Sequence, residues 1–342
     1  MGNPRERSAS GEDSTPASRG RRRQAAGAAP SPCPRPIVTL LTDFGHQDPF
    51  VGIMKGVILG LCPEAVIVDL CHEIPAFDIL GGSFLLQSAV RFFPSGTIHV
   101  AVVDPGVGGP RRPILARIDQ QIFVAPDNGL LSYPMAGGTM QSVRAITASQ
   151  YLLDPVSATF HGRDVFAPTA GHLARGLSPE RLGPEIADVV RLAIPQPQRD
   201  GSGAIRGAVL WVDRFGNCIT NITTRELGAA AAVSGVKGQI RIDGRPLGPL
   251  VGYFGEAEGG RGAIIGSTGQ LELFSNLGNL AREWGLTPGA SVCLEWEAGA
   301  ATRGDLQNAG PPGVEGWRSP SGRALPDDVE PGGFGLKCVE PC

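Results

Sequence analysis

A carboxylate and two guanidinium groups bracket one short loop, Asp104-Pro105-Gly106-Val107-Gly108-Gly109-Pro110-Arg111-Arg112. The run before it, Ile98 to Val103, is apolar and rich in β-branched residues, as a buried strand is. Proline and glycine stop that strand abruptly, leaving Asp104 at its carboxyl end, where open α/β sheets place their ligands. A guanidinium stays protonated, so Arg111 cannot act as a base, whereas a carboxylate or an imidazole can. A candidate imidazole lies further on, in Thr159-Phe160-His161-Gly162-Arg163-Asp164-Val165-Phe166-Ala167-Pro168, where polar groups crowd a bend ahead of a helix. The plain alternative for the first loop is a surface turn with a solvated arginine pair.

The elements that must position these groups are legible around them. Ile37–Leu41 reads as a buried strand ending in Thr42-Asp43-Phe44-Gly45. Asp48-Pro49 then predicts an N-cap with proline at the first helical position, and Val51, Met54, Val57, Ile58 and Leu61 recur at helical spacing. A second strand, Ala65–Leu70, closes on Cys71-His72-Glu73, and a second helix runs from near Phe77-Asp78 to Phe93. Strand, helix, strand, helix, strand predicts a parallel sheet with crossover helices. Such a sheet sends Asp43, His72-Glu73 and Asp104 to one rim. Strands follow at Ile114–Ile118 and Ile122–Val124, then a long loop to the Thr159 bend.

Residues 195–203, rich in Pro, Gln and Gly, read as a linker between an N-terminal α/β domain (37–195) and a smaller β domain (204–298). In the latter, strands are expected at 208–212, 240–242, 263–265, 271–274 and 291–296, with a helix over 277–284. Residues 1–36 and 299–342 have the composition of disordered extensions.

With 342 residues the chain can bury two cores, and a net charge of −3 leaves no basic footprint for nucleic acid. No apolar run approaches a membrane span. Seven cysteines without CxxC pairs, with Cys62 and Cys71 in apolar surroundings, predict reduced core thiols and a cytoplasmic setting. The basic N-terminal extension has the arginine and serine of a transit peptide, but Glu6, Glu12 and Asp13 oppose that reading. Dinucleotide, P-loop, nucleophile-elbow and metal-binding histidine patterns are all missing, so neither a cofactor nor a metal is expected. His99 is expected to be a core residue, and His46 and His172 to lie near helix ends.

Long motifs remain: TDFG (42–45), DPFVGIMKGV (48–57), VDPGVGGPRR (103–112), APDNGLL (125–131), TFHGRDVFAP (159–168), DRFGN (213–217) and GSTGQLELFSN (266–276). Together they resemble the S-adenosyl-L-methionine (SAM) hydroxide adenosyltransferases, relatives of the bacterial fluorinases and chlorinases, and they span both domains. The resemblance implies a Rossmann-like N-terminal domain with a mostly parallel sheet and a β-barrel-like C-terminal domain. It also implies a homotrimer with active sites between subunits and SAM as a small-molecule substrate, with no nucleic acid or membrane as partner. Asp104, Arg111 and His161 match the residues that act on water, Asp104 also touching substrate. Asp43 matches the carboxylate that holds the ribose, and Phe77 an aromatic residue packed on the nucleoside. Asp213 and Asn217 fall where the family contacts the methionine end and the adenine. Phe215 and Phe254 would stack on the adenine, and Ser267, Glu272, Asn276 and the Leu277 backbone would complete the pocket.

The expected reaction is attack of water on ribose C5′, releasing adenosine and L-methionine. The sulfonium leaves as a neutral thioether, so no general acid is required, but water needs activation. Arg111 would stabilise hydroxide, and either His161 or Asp104 could take or orient its proton. Two alternatives stand beside hydrolysis. A halogenase would need halide beside Asp104, where the halide-using relatives carry tyrosine, and the carboxylate would repel it; fluorinases also have serine where this chain has Gly162. A protein that binds SAM or adenosine without turnover is the other, because a fold can outlive its activity.

Overall fold

The computed structural model describes residues 35–228 and 238–296, so the expected extensions 1–36 and 299–342, apart from residues 35 and 36, lie outside the described residues, as do Cys33, Cys338 and Cys342. In chain order the first half contains β1 (Ile37–Thr42), α1 (Phe50–Leu61), β2 (Val66–Cys71), α2 (Ile79–Val90), β3 (Ile98–Val102), β4 (Pro113–Ile118), β5 (Gln121–Pro126), α3 (Ser132–Gly137), β6 (Met140–Ala145) and α4 (Ala167–Ala174). Its six strands form one sheet in the order β2-β1-β3-β5-β4-β6. β2, β1, β3 and β5 run parallel, which brings Asp43, His72 and Asp104 to the same rim as the apolar runs predict. β4 departs from that pattern. Asp119 and Gln120 both have positive φ, so a two-residue hairpin turn reverses the chain and sets β4 antiparallel to β5.

Alternation along the strands feeds two cores. Val38, Leu40, Val100 and Val102 pack with Val51, Met54 and Ile58 of α1 and Ala167 and Ala170 of α4. Leu41, Ala101 and Val103 pack on the opposite face with Leu86 and Val90 of α2. Burying both faces is why these strands are apolar at nearly every position. Asp78 caps α2 by accepting from the Gly81 amide at 2.8 Å. α1 differs from expectation, because Pro49 itself occupies the cap position and Asp48 makes no cap bond. The sequence also misses β6, whose outer residues are polar.

The second half contains β7 (Gln198–Arg199), β8 (Ile205–Val212), β9 (Cys218–Thr223), α5 (Thr224–Leu227), β10 (Gly238–Ile242), β11 (Arg245–Gly248), β12 (Arg261–Ile265), β13 (Gln270–Ser275), α6 (Leu280–Trp284) and β14 (Ser291–Trp296). The strands follow the order β11-β10-β14-β8-β9-β13-β12, with β7 on β8. Just past β11, Leu250 bridges Ala263 of β12; the Val251 amide donates to the Ala263 carbonyl and the Ala263 amide to the Pro249 carbonyl, each at 2.9 Å. The antiparallel sheet therefore curls into a nearly closed barrel around Ile205, Ile222, Ile240, Leu271, Leu273 and Leu294. β7 lies inside the stretch read as linker, α6 begins three residues later than expected, and β9 and β11 went unpredicted. β9 hides its character because its buried positions include Thr220 and Asn221; the Asn221 side chain accepts from the Ala208 amide and donates to the Pro195 carbonyl. Cys62, Cys71, Cys218 and Cys293 are free thiols, Cys71 being only half-buried. No helix among the described residues is long and apolar enough to cross a membrane.

Candidate active site

Asp104 follows β3, and Arg111 returns to its side across the glycine loop. Arg111 Nε lies 3.0 and 2.9 Å from the two Asp104 carboxylate oxygens, and its Nη2 also donates to Oδ2. The pair is nearly dry, the side chains being 9% and 4% exposed. Arg111 Nη2 also donates to His161 Nδ1 at 2.7 Å, and its guanidinium faces the Phe166 ring at 5.5 Å. Because Nδ1 accepts, the proton of the neutral ring sits on Nε2. Burial first, then the charge of Arg111, holds the His161 imidazole below the usual histidine range, while Asp104 and Asp164 pull the other way.

Two local devices bring these loops together. Gly108 has φ +74°, and a Cβ there would run into the Ala158 carbonyl oxygen, so only glycine lets the two loops touch. His161 then opens onto a single π-helical turn, Gly162–Phe166, a form frequent at functional sites. Buried Asp164 fixes that turn by accepting from the Ser157 amide at 2.8 Å and from Arg163 Nη2 at 2.9 Å. Sequence reasoning gave Asp164 no role; its place next to His161 in a polar bend was the available signal.

Asp43 sits on the same rim after β1, and its Oδ2 accepts from the Phe77 amide at 3.0 Å. Phe77 has φ 69°, unusual for a bulky residue, and its ring is largely exposed beside Asp43. The turn carrying Asp43 is shored up by His72, another residue with no expected role. Its Nδ1 pairs with Thr42 Oγ1 at 2.8 Å, its carbonyl accepts from Gly45, and its Nε2 lies 3.1 Å from Asp69.

The barrel domain holds a separate cluster. Asp213 Oδ1 accepts from the Phe215 and Asn217 amides at 2.8 Å, and Asn217 Nδ2 donates to Asp213 Oδ2 (3.1 Å) and Glu272 Oε1 (2.9 Å). Phe215 is exposed, Phe254 packs edge-on against Phe274 at 4.7 Å, and Ser267, Asn276 and Leu277 are exposed. Among the described residues no hydrogen bond or ion pair joins this cluster to Asp104, Arg111 and His161 within one chain. Burial, followed by the charge of Asp213, pushes the Glu272 carboxyl up. The folded protein then binds this proton more tightly than the unfolded chain, and the associated stability is lost as pH rises through the raised value. Glu272→Gln retains an acceptor for Asn217 and removes the charge. Its melting temperature relative to the parent is expected to be higher at pH 8 than at pH 4, and an equal difference at both would refute this account. No group of three or more His, Cys, Asp or Glu among the described residues is placed to hold a metal.

A mixed α/β sheet with an Asp-Arg-His cluster on its strand-end rim, followed by a nearly closed antiparallel barrel, defines a two-domain protein of one architectural class. Residues 38–183 match the SAM hydroxide adenosyltransferase N-terminal domain, and residues 207–293 match the C-terminal domain of the same family. The chain belongs to that family and is one of its enzymes. It is similar to an (R)-S-adenosyl-L-methionine hydrolase of Thermus thermophilus, 38% identical over 76% of this chain and 99% of the relative. A fluorinase of Nocardia brasiliensis is 29% identical over 75% of this chain and 96% of its own. An uncharacterized conserved protein from Thermotoga maritima has a similar crystal structure, with a TM-score of 0.71, 32% identity, and coverage of 75% of this chain and 99% of that one.

Proposed function

We propose that the protein hydrolyses SAM to adenosine and L-methionine. The observation that carries this reading is Arg111 Nη1, which is buried and finds no acceptor among the described residues, although Nε and Nη2 are both engaged. A buried guanidinium N–H held in place by two partners suits an oxygen of water or nascent hydroxide. The water oxygen attacks C5′, the C5′–S bond breaks, and its electron pair leaves with sulfur as the neutral thioether of methionine. His161 Nδ1 is occupied by Arg111, so its Nε2–H orients the attacking water as a donor. The acceptor capacity left in the cluster is on the Asp104 carboxylate, to which we assign the water proton. Asp43 Oδ1, its other oxygen being on Phe77, is the acceptor for a ribose hydroxyl. Asp213 and Glu272 form an acidic site suited to a cationic ligand, and SAM carries positive charge at its sulfonium and ammonium.

On this reading the α/β domain spans 37–195 and the barrel domain 204–298, and the two clusters complete one site across subunits of a homotrimer. The free thiols suit a cytoplasmic setting. Halide use is disfavoured by the Asp104 charge and by the space at Gly162. A Cβ there would lie 3.1 Å from both Met54 Sδ and the Phe160 ring, and 3.3 Å from Phe44. Purified protein incubated with SAM in chloride or fluoride buffer is expected to release adenosine, as read by chromatography. A 5′-halo-5′-deoxyadenosine as main product would overturn the reading, as would SAM binding without turnover.

A further inference from the structure

The stretch Ala125–Leu131 carries part of the family resemblance, yet none of its residues has a place in the site described above. β5 runs parallel beside β3, so its end emerges next to the loop that carries Asp104 and Arg111. Asn128 Nδ2 donates to the Val103 carbonyl at 2.9 Å, one residue before Asp104. Asp127 holds the other end, one residue after Arg111. Its amide donates to the Arg112 carbonyl at 2.8 Å, and its Oδ2 accepts from Arg112 Nε at 3.0 Å and Nη2 at 2.6 Å. Asp127 is itself fixed, with a side chain only 2% exposed and Oδ1 accepting from the Val190 amide at 2.8 Å. Arg112 is braced from the far side by the Asp188 carboxylate and carbonyl, each at 2.9 Å. Between these anchors the loop backbone has two turn bonds of its own, Val107 N to Asp104 O and Gly109 N to Gly106 O.

We infer that Asp127 and Asn128 are positioning residues that act through Asp104 and Arg111. Two consecutive residues just past the end of the neighbouring strand pin both ends of the loop, and so set the separation at which its carboxylate and guanidinium meet. A glycine-rich loop without those anchors would let the pair drift. Displacement of a reacting group by about 1 Å can cost roughly 10²-fold in rate without loss of binding. The inference rests on the hydrolytic reading for its kinetic consequence, but not for its structural one.

The decisive variant is Asn128→Asp. It keeps an oxygen for the Leu130 amide, which Asn128 Oδ1 now accepts at 3.2 Å, and so keeps the local turn. It has no donor for the Val103 carbonyl. Turnover at saturating SAM is expected to fall roughly ten- to hundred-fold with KM within about threefold of the parent. Exchange of the Val107 and Gly109 amides, measured by deuterium uptake, is expected to rise while that of α1 stays unchanged. Asp127→Asn, which weakens the anchor at the other end, should repeat both effects, and it serves alone should Asn128→Asp not fold. Parent-like turnover, a loss confined to KM, or unchanged exchange at Val107 and Gly109 in the folded variants would overturn the assignment. If the parent itself releases no adenosine, the hydrolytic reading fails, and the exchange measurement alone decides the positioning role.

Discussion

Arg111→Ala is expected to lower turnover at saturating SAM by roughly 10²-fold or more while SAM still binds, as when a group acts mainly in the transition state. The guanidinium holds Asp104 and His161 together and presents Nη1 to the water, and none of these contacts involves the adenine or methionine end. The substitution leaves Asp104 buried without its partner, so it is best compared with the Arg111→Ala, Asp104→Asn double variant, which keeps the carboxyl shape without an unpaired charge. His161→Ala should show the same split. In the parent, turnover should hold from neutrality into mildly acid solution and decline on the acid side below the usual histidine range. His161 accepts from Arg111 only while neutral, and burial together with that neighbouring charge delays its protonation. Asp43→Ala should behave in the opposite way, weakening binding by about 1.5–3 kcal/mol, the worth of a charge-assisted hydrogen bond. Calorimetric affinity measured beside turnover separates the two. Loss of binding with unchanged saturating turnover in Arg111→Ala and His161→Ala would reverse the roles assigned here.

The second large effect concerns stability in acid. His99 is the second residue of β3, with its Nδ1 against Thr39 Oγ1 at 2.8 Å and its ring between Phe93 and Phe123. Burial pushes its imidazole down to about 4, with a weaker contribution from Gln121 in the other direction. The unfolded chain takes up this proton near pH 6.5 and the folded protein only near 4. Stability is therefore fully present above pH 6.5 and falls by about 3 kcal/mol as pH drops from there to about 4. His99→Asn keeps a polar partner for Thr39 and removes the titration. Urea unfolding at pH 7 and pH 4 should show the parent losing more stability than the variant by about that amount. Equal losses would show that His99 is protonated in the folded protein.

The strands that run near the centre of the first sheet could be read directly, because burial on both faces demands continuous apolar runs, and Ile37–Leu41 and Ile98–Val103 supply them. Helices α1 and α2 were visible through the spacing of their buried residues. The edge and barrel strands were not. β6 presents polar residues outward, and β9 buries Thr220, whose hydroxyl accepts from the Ile222 amide of the same strand, and Asn221, whose side chain bonds to Ala208 and Pro195 in other segments. The hairpin between β4 and β5 turns on Asp119 and Gln120, which adopt positive φ without the glycine that usually signals such a turn.

The same division runs through the site. Local sequence determined that Asp104 ends a strand, that glycine follows it, and that a polar bend carries His161, since composition and β-propensity act over a few residues. Long motifs supplied the family and the identities of the candidate residues. Only the tertiary structure decided which nitrogen of His161 accepts from Arg111, that Arg111 Nη1 finds no acceptor among the described residues, and that Gly108 must lie against the Ala158 carbonyl. It also decided that Asn128 and Asp127 grip the two ends of the Asp104 loop. Hydrogen bonds act over about 3 Å, and no local preference in the chain sets the distance between groups that lie tens of residues apart.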